Sequence, residues 1–295
     1  MKHNLKAQLS YKTQNTTGEG ITWIPEIDKL LWLDIEGKTL HIANEDLTFV
    51  ELHHFSQMIT TIIPDKSDID SLIIAHQNEI IRYNIVDKTQ TKLVDIPTDN
   101  DVLRTNDGKA SPAGSIWLGV MHFSNHSETG FLYQIDKKFH VSKVLDQLCI
   151  PNGISWNDAG DTLFFVDSGK RTITSYEYCQ ETDSIGSIKS TINTPSEYGV
   201  PDGMTIDTQG NLWVAHWGGY GVYIWNPNTQ KLIGKIEVPV PNIASCTLGG
   251  KNKDILYITT ARAGLTDEEL RRYPLSGSLF SCKVDARGAI NHYPF

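Results

Sequence analysis

Six short runs of apolar residues, rich in aromatic and β-branched side chains, recur along the chain: LLWLDI from Leu30, SLIIAH from Ser71, SIWLGV from Ser115, TLFFVD from Thr162, NLWVAH from Asn211 and ILYITT from Ile255. Their first residues stand 41, 44, 47, 49 and 44 positions apart. Runs of this length and composition, bounded by turn signals, read as strands. A second strand-like segment follows each of them, as in KTLHIAN, NEIIRYNIV, TGFLYQID, TITSYEY, GVYIWNP and GSLFSCKVD, so each pair makes a hairpin. Ahead of most runs lies a turn with Gly or an Asp/Asn cluster (SPAGSIW, NDAGDTL, DTQGNLW), and ahead of that another short strand such as ITWI, GKAS, GISW, GMTI or SCTL.

Helix signals are nearly absent; the best is TDEELRR from Thr266. A repeat of roughly 40 to 50 residues is that of a four-stranded blade. The pattern predicts an all-β, six-bladed β-propeller forming a single domain over residues 1–295, with the segment LKAQLSY closing the ring against the C-terminal blade. A pair of β-sandwiches is the competing arrangement, and it leaves the regular period unexplained. Trp32, Trp117 and Trp213 recur at the strand phase, as packing between blades requires.

Residues at equal phase in successive blades meet near the propeller axis. Counting back about ten residues from each run reaches Glu19, Thr60, Asn106 with Asp107, Asn152, Asp202 and Ser245, nearly all polar. Carboxylates gathered at a channel mouth repel one another unless a cation or protons intervene, and hard oxygen donors suit a divalent ion. Glu19, Asn152 and Asp202 would supply two charges and a neutral carbonyl to one such cation, Ca²⁺ foremost, with Zn²⁺, Mn²⁺ or Mg²⁺ as alternatives. Taken singly, Asn152-Gly153 and Asp202-Gly203 also read as turn dipeptides, and for Asp107 a turn is the better reading.

Charge narrows the partners. With 26 basic and 35 acidic side chains the chain carries a formal charge of -9, and no segment concentrates Lys or Arg, which argues against nucleic acid. Cys149, Cys179, Cys246 and Cys282 lie far apart without C-x-x-C spacing and read as reduced, mostly buried thiols. MKHNLKAQLS lacks the apolar run of a signal peptide, and no stretch is apolar enough to span a bilayer, so the expected compartment is the cytoplasm and no membrane partner is expected. A monomer or weak homo-oligomer is expected.

Five segments, GEGITWIPEIDKLLWLDIEG, RTNDGKASPAGSIWLGVM, PNGISWNDAGDTLFFVDS, VPDGMTIDTQGNLWVAHWGG and ASCTLGGKNKDILYITTARAGL, resemble the ordered signatures of the regucalcin (senescence marker protein)/gluconolactonase family. The resemblance implies a six-bladed propeller that hydrolyses a sugar lactone with a divalent cation. It implies Glu19, Asn152 and Asp202 as metal ligands, Asp202 also as general base, and Arg104 and Asn106 as holders of substrate oxygens. Where animal members of the family place a further substrate-binding Glu, this chain has Ser124, so that the interaction is either missing or made by His122. His122, His126 and His216 otherwise read as packed or exposed histidines, and Trp217 is a candidate for lining a sugar pocket. A non-catalytic, calcium-binding regulatory propeller and a phosphotriesterase-like or lyase relative are the competing functions on the same fold.

Overall fold

The computed structural model describes residues 4–98, 102–124 and 128–294. Six sheets, antiparallel but for one added N-terminal strand, stand around a common axis, as the period predicts. Each predicted apolar run is the second strand of its sheet: Lys29–Asp34, Ser71–His76, Ile116–His122, Thr162–Asp167, Leu212–Trp217 and Ile255–Thr260. These strands read as unbroken apolar runs because neighbouring blades cover both of their faces. Trp32, Trp117 and Trp213 are buried accordingly, and each apolar cluster joins residues of adjacent blades, such as Trp23 and Trp32 of blade one with Tyr257 and Leu279 of blade six.

The inner strands are Gly18–Ile24, Ile59–Pro64, Leu103–Ala110, Pro151–Trp156, Val200–Ile206 and Ile243–Gly249. Each touches the next, and the last touches the first, so the ring is closed. A short helix, Asp267–Arg272, forms where TDEELRR predicts it, with Thr266 and Glu269 in a reciprocal capping box. Among the described residues no helix is long and apolar enough to cross a membrane.

Ring closure divides the N-terminal segment. Gln8–Tyr11 pairs antiparallel with Leu279–Lys283 as the fourth strand of blade six, whereas Asn4–Lys6 pairs in parallel with Lys231–Glu237 and becomes a fifth strand of blade five. LKAQLSY thus closes the ring against the last blade through its second half, as expected, while its first residues extend blade five; Ala7, buried against the interface of blades five and six, marks the crossing. Deleting residues 1–11 leaves Leu279–Lys283 as a bare sheet edge. We expect a melting temperature lower by roughly 10 °C and concentration-dependent aggregation, read by calorimetry and light scattering.

The cysteine expectation is corrected in part. None of the four forms a disulfide, but only Cys246 is buried; Cys149 and Cys282 are half-buried, and Cys179, at a hairpin tip, is exposed.

Candidate active site

Every inner strand carries a break in its pairing at the candidate positions. In blades three, four and five, two residues face one across the ladder, and those pairs are Asn106 with Asp107, Asn152 with Gly153, and Asp202 with Gly203. In blade one the unpaired residues are Gly20 and Ile21, directly after Glu19; in blades two and six they are Thr60 and Ala244. A bulge twists the strand and re-aims its side chains, and here it turns polar groups of different blades toward one another.

This overturns the turn reading of Asn152-Gly153, Asp202-Gly203 and Asp107, all of which lie inside strands. The two glycines are needed because neighbouring inner strands approach closely. A Cβ on Gly153 would sit 2.6 Å from Asp202 O, and one on Gly203 2.6 Å from Ser245 Oγ and 2.8 Å from Ala244 O.

Asn152 Nδ2 donates to Asp202 Oδ1 and, at 3.1 Å, to Ser168 Oγ. Its Oδ1 is buried without any hydrogen-bond partner. Arg104 Nη1 donates to Asn106 Oδ1 at 2.8 Å and to Thr105 O at 2.9 Å, and Asn106 Nδ2 donates to Pro151 O at 2.9 Å. Glu19 and Asp202 are 8% and 7% exposed, too little for water to stabilise either charge well.

These groups act on one another electrostatically. Burial, then the charge of Asp107, pushes the Glu19 carboxyl from 4.5 up to about 8, against the opposing pull of the Gly20 N–H and Arg104. Asp202 is pushed well above its ordinary value by burial and then by the charges of Glu19 and Asp107. Burial draws Arg104 down, while Glu36, Glu19 and Asp202 hold its charge in place. The structure thus brings Glu19, Arg104, Asn106, Asn152 and Asp202 into one constellation. Among the described residues no cluster of three or more His, Cys, Asp or Glu side chains is arranged to hold a metal; the set here is two carboxyls and an amide. A partnerless amide oxygen beside two buried, mutually repelling carboxyls is a donor set that fits a hard divalent cation.

Three further participants are absent from the site the sequence predicts, Asp107 because it reads there as a turn residue. Asp107 adds a third carboxyl, itself raised by burial, whose charge acts on both Glu19 and Asp202. Lys109 offsets it from further along the same strand, donating to Met204 O at 3.3 Å. These two, both half-buried, line a pocket of about 70 Å³ together with Ala289, Ile290, Asn291 and His292. Ser168, the residue after the second strand of blade four, is the third.

His216 is a packed histidine: it donates through Nδ1 to Tyr198 O at 3.0 Å, lies tilted against the Tyr223 ring at 4.3 Å, and is held neutral by burial, which lowers it to about 3. His122 Nδ1 accepts from the Ser124 backbone at 3.0 Å and lies 2.7 Å from its hydroxyl. His126 lies outside the described residues. Trp217 is half-buried at the end of its strand.

Fold and site together define a propeller with a polar, carboxyl-rich axial centre. Residues 17–262 match the SMP-30/Gluconolactonase/LRE-like region, and the chain belongs to that family. It is 30% identical over 284 residues to the YvrE protein of Bacillus subtilis (strain 168), whose name places it provisionally among sugar lactone lactonases; the match covers 96% of this chain and 97% of that one. Regucalcin of Oryctolagus cuniculus is 30% identical over 268 residues, covering 89% of each chain. The crystal structure of a calcium-binding regucalcin from Agrobacterium tumefaciens superposes with a TM-score of 0.93 at 23% identity, covering 99% of this chain and 98% of that one.

Proposed function

We propose that this protein hydrolyses a sugar lactone to its aldonic acid at the axial site, with one divalent cation held by Glu19, Asn152 and Asp202. The observation that carries the reading is the buried, partnerless Oδ1 of Asn152 set against two carboxyls, Glu19 and Asp202, whose proton affinity is raised by burial and then by neighbouring carboxyl charge. Membership of a family that includes sugar lactone lactonases supplies the substrate class, and the oxygen-only donor set favours Ca²⁺. A bound cation supplies Lewis-acid polarisation of the lactone carbonyl and charge for the developing oxyanion.

The chain's own residues do the rest. Asp202 takes a proton from the attacking water as the new C–O bond forms, and returns it to the ring oxygen as the ring C–O bond breaks. Arg104 presents its fork to substrate oxygens; its bond to Asn106 Oδ1 fixes the guanidinium plane and leaves the Asn106 amide nitrogen with one proton beyond that given to Pro151 O. A calcium buffer has no use for an arginine among its carboxyls, which separates this reading from a non-catalytic one.

The test is hydrolysis of an aldonolactone panel followed by a pH indicator, before and after chelation, with add-back of Ca²⁺, Zn²⁺, Mn²⁺ and Mg²⁺. Loss on chelation and unequal recovery are expected. Unchanged turnover after chelation, with no ion found by elemental analysis, would overturn the proposal.

A further inference from the structure

Two asparagines occupy bulges on adjacent inner strands, yet their amides are held differently. Asn106 has both ends engaged, its oxygen by Arg104 and its nitrogen by Pro151 O. Asn152 spends both amide protons, one on Asp202 Oδ1 and one on Ser168 Oγ, and keeps its oxygen free. The residue that makes the difference is Ser168. It is 3% exposed, and its backbone is fixed on both sides: its N–H donates to Ile150 O at 2.9 Å and its carbonyl accepts from Arg171 N at 3.1 Å.

An asparagine amide turns about a broad terminal torsion, so one hydrogen bond leaves its plane free to pivot. Two anchors, on the two protons of the same nitrogen, define that plane. With Ser168 on one proton and Asp202 on the other, the oxygen has one direction left.

We propose that Ser168 is a positioning residue that locks the Asn152 amide so that its oxygen is presented to the cation. This rests on the reading that a divalent cation binds there. Partners of this kind behind a metal ligand affect affinity by roughly 10- to 100-fold. Replacing Ser168 removes one anchor without touching a ligand, a carboxyl or Arg104.

The experiment is calorimetric titration of Ca²⁺ into wild type, Ser168→Ala, Asn152→Asp and the double variant, with melting temperatures recorded in chelator. Ser168→Ala is expected to bind roughly tenfold more weakly with its chelator melting temperature unchanged. In the Asn152→Asp background, where a carboxylate has two equivalent oxygens and no N–H to anchor, the same change is expected to leave affinity within about twofold. Equal affinity of Ser168→Ala and wild type overturns the proposal, as does an equal loss in both backgrounds. The wild type is also titrated with Zn²⁺, Mn²⁺ and Mg²⁺, and any of these that it binds in place of Ca²⁺ is used for the variants; failure of the wild type to bind any of the four cations overturns the functional reading instead, so the two failures are distinct.

Discussion

Asp202→Ala is expected to lower kcat/KM for lactone hydrolysis by roughly 10³-fold or more, since it removes at once a proton acceptor and a proposed ligand. The two roles separate in Asp202→Asn. An amide at this position keeps an oxygen that can still meet Asn152 Nδ2 and the cation, but it cannot take a proton from water. Cation binding by Asp202→Asn is therefore expected to weaken while remaining measurable, and turnover to fall almost as far as in the alanine variant. Neither change should unfold the chain. Asp202 is raised by burial and by the charges of Glu19 and Asp107, so deleting its charge relieves repulsion at the centre of the ring. The melting temperature in chelator is expected to hold or rise. Wild-type turnover in Asp202→Ala, measured by the same indicator assay, would remove Asp202 from the mechanism; a collapse of the melting temperature would instead make it a structural residue.

Legibility along this chain follows where a physical pattern is strong. The second strands announce themselves because both of their faces are covered, and Trp32 or Leu163 can sit nowhere else. The outer strands do not: Ser184–Asn193 is mostly exposed, and its alternation of Ser, Lys and Thr with Ile carries no run to find. The phase argument reaches Glu19, Asn152 and Asp202 because circular symmetry turns equal spacing into proximity. It misreads the local geometry, since Asn-Gly and Asp-Gly serve bulges as well as turns, and only the approach of the neighbouring strand explains Gly153 and Gly203. Asp107 is discounted for the same reason. Ser168 leaves no mark at all, because its part depends on which proton of a side chain in another strand it meets. The N-terminal segment reads as a closing strand, but its division between two blades is decided by how Ala7 packs at their interface.

The second large effect concerns pH in the absence of cation. Glu19 moves from 4.5 to about 8 on folding, so between those values the folded state holds a proton that the unfolded chain has released. Its contribution is fully present below about pH 4.5 and is lost as the pH climbs through 8. Asp202 shifts the same way. Buried histidines act in the opposite sense: His41 and His216 fall from 6.5 to about 4 and about 3, so folding strengthens with pH until about 6.5 and their effect is then complete. From about pH 6.5 to 8 these histidines no longer offset the two carboxyls. For Glu19 that span of about 1.5 units corresponds to about 2 kcal/mol, with Asp202 adding to it. In chelator the two histidines offset the two carboxyls up to about pH 6.5, so the melting temperature is expected to change little there and to drop by roughly 5 °C or more by about pH 8. Saturating Ca²⁺ should abolish the drop, because the cation replaces the missing protons, and should stabilise far more at about pH 8 than at about pH 5, where it must displace them. Glu19→Gln should flatten the metal-free profile over the same interval. A metal-free profile that is level or still rising from about pH 6.5 to 8 would mean that these carboxyls are not confined together, and the cation site would go with them.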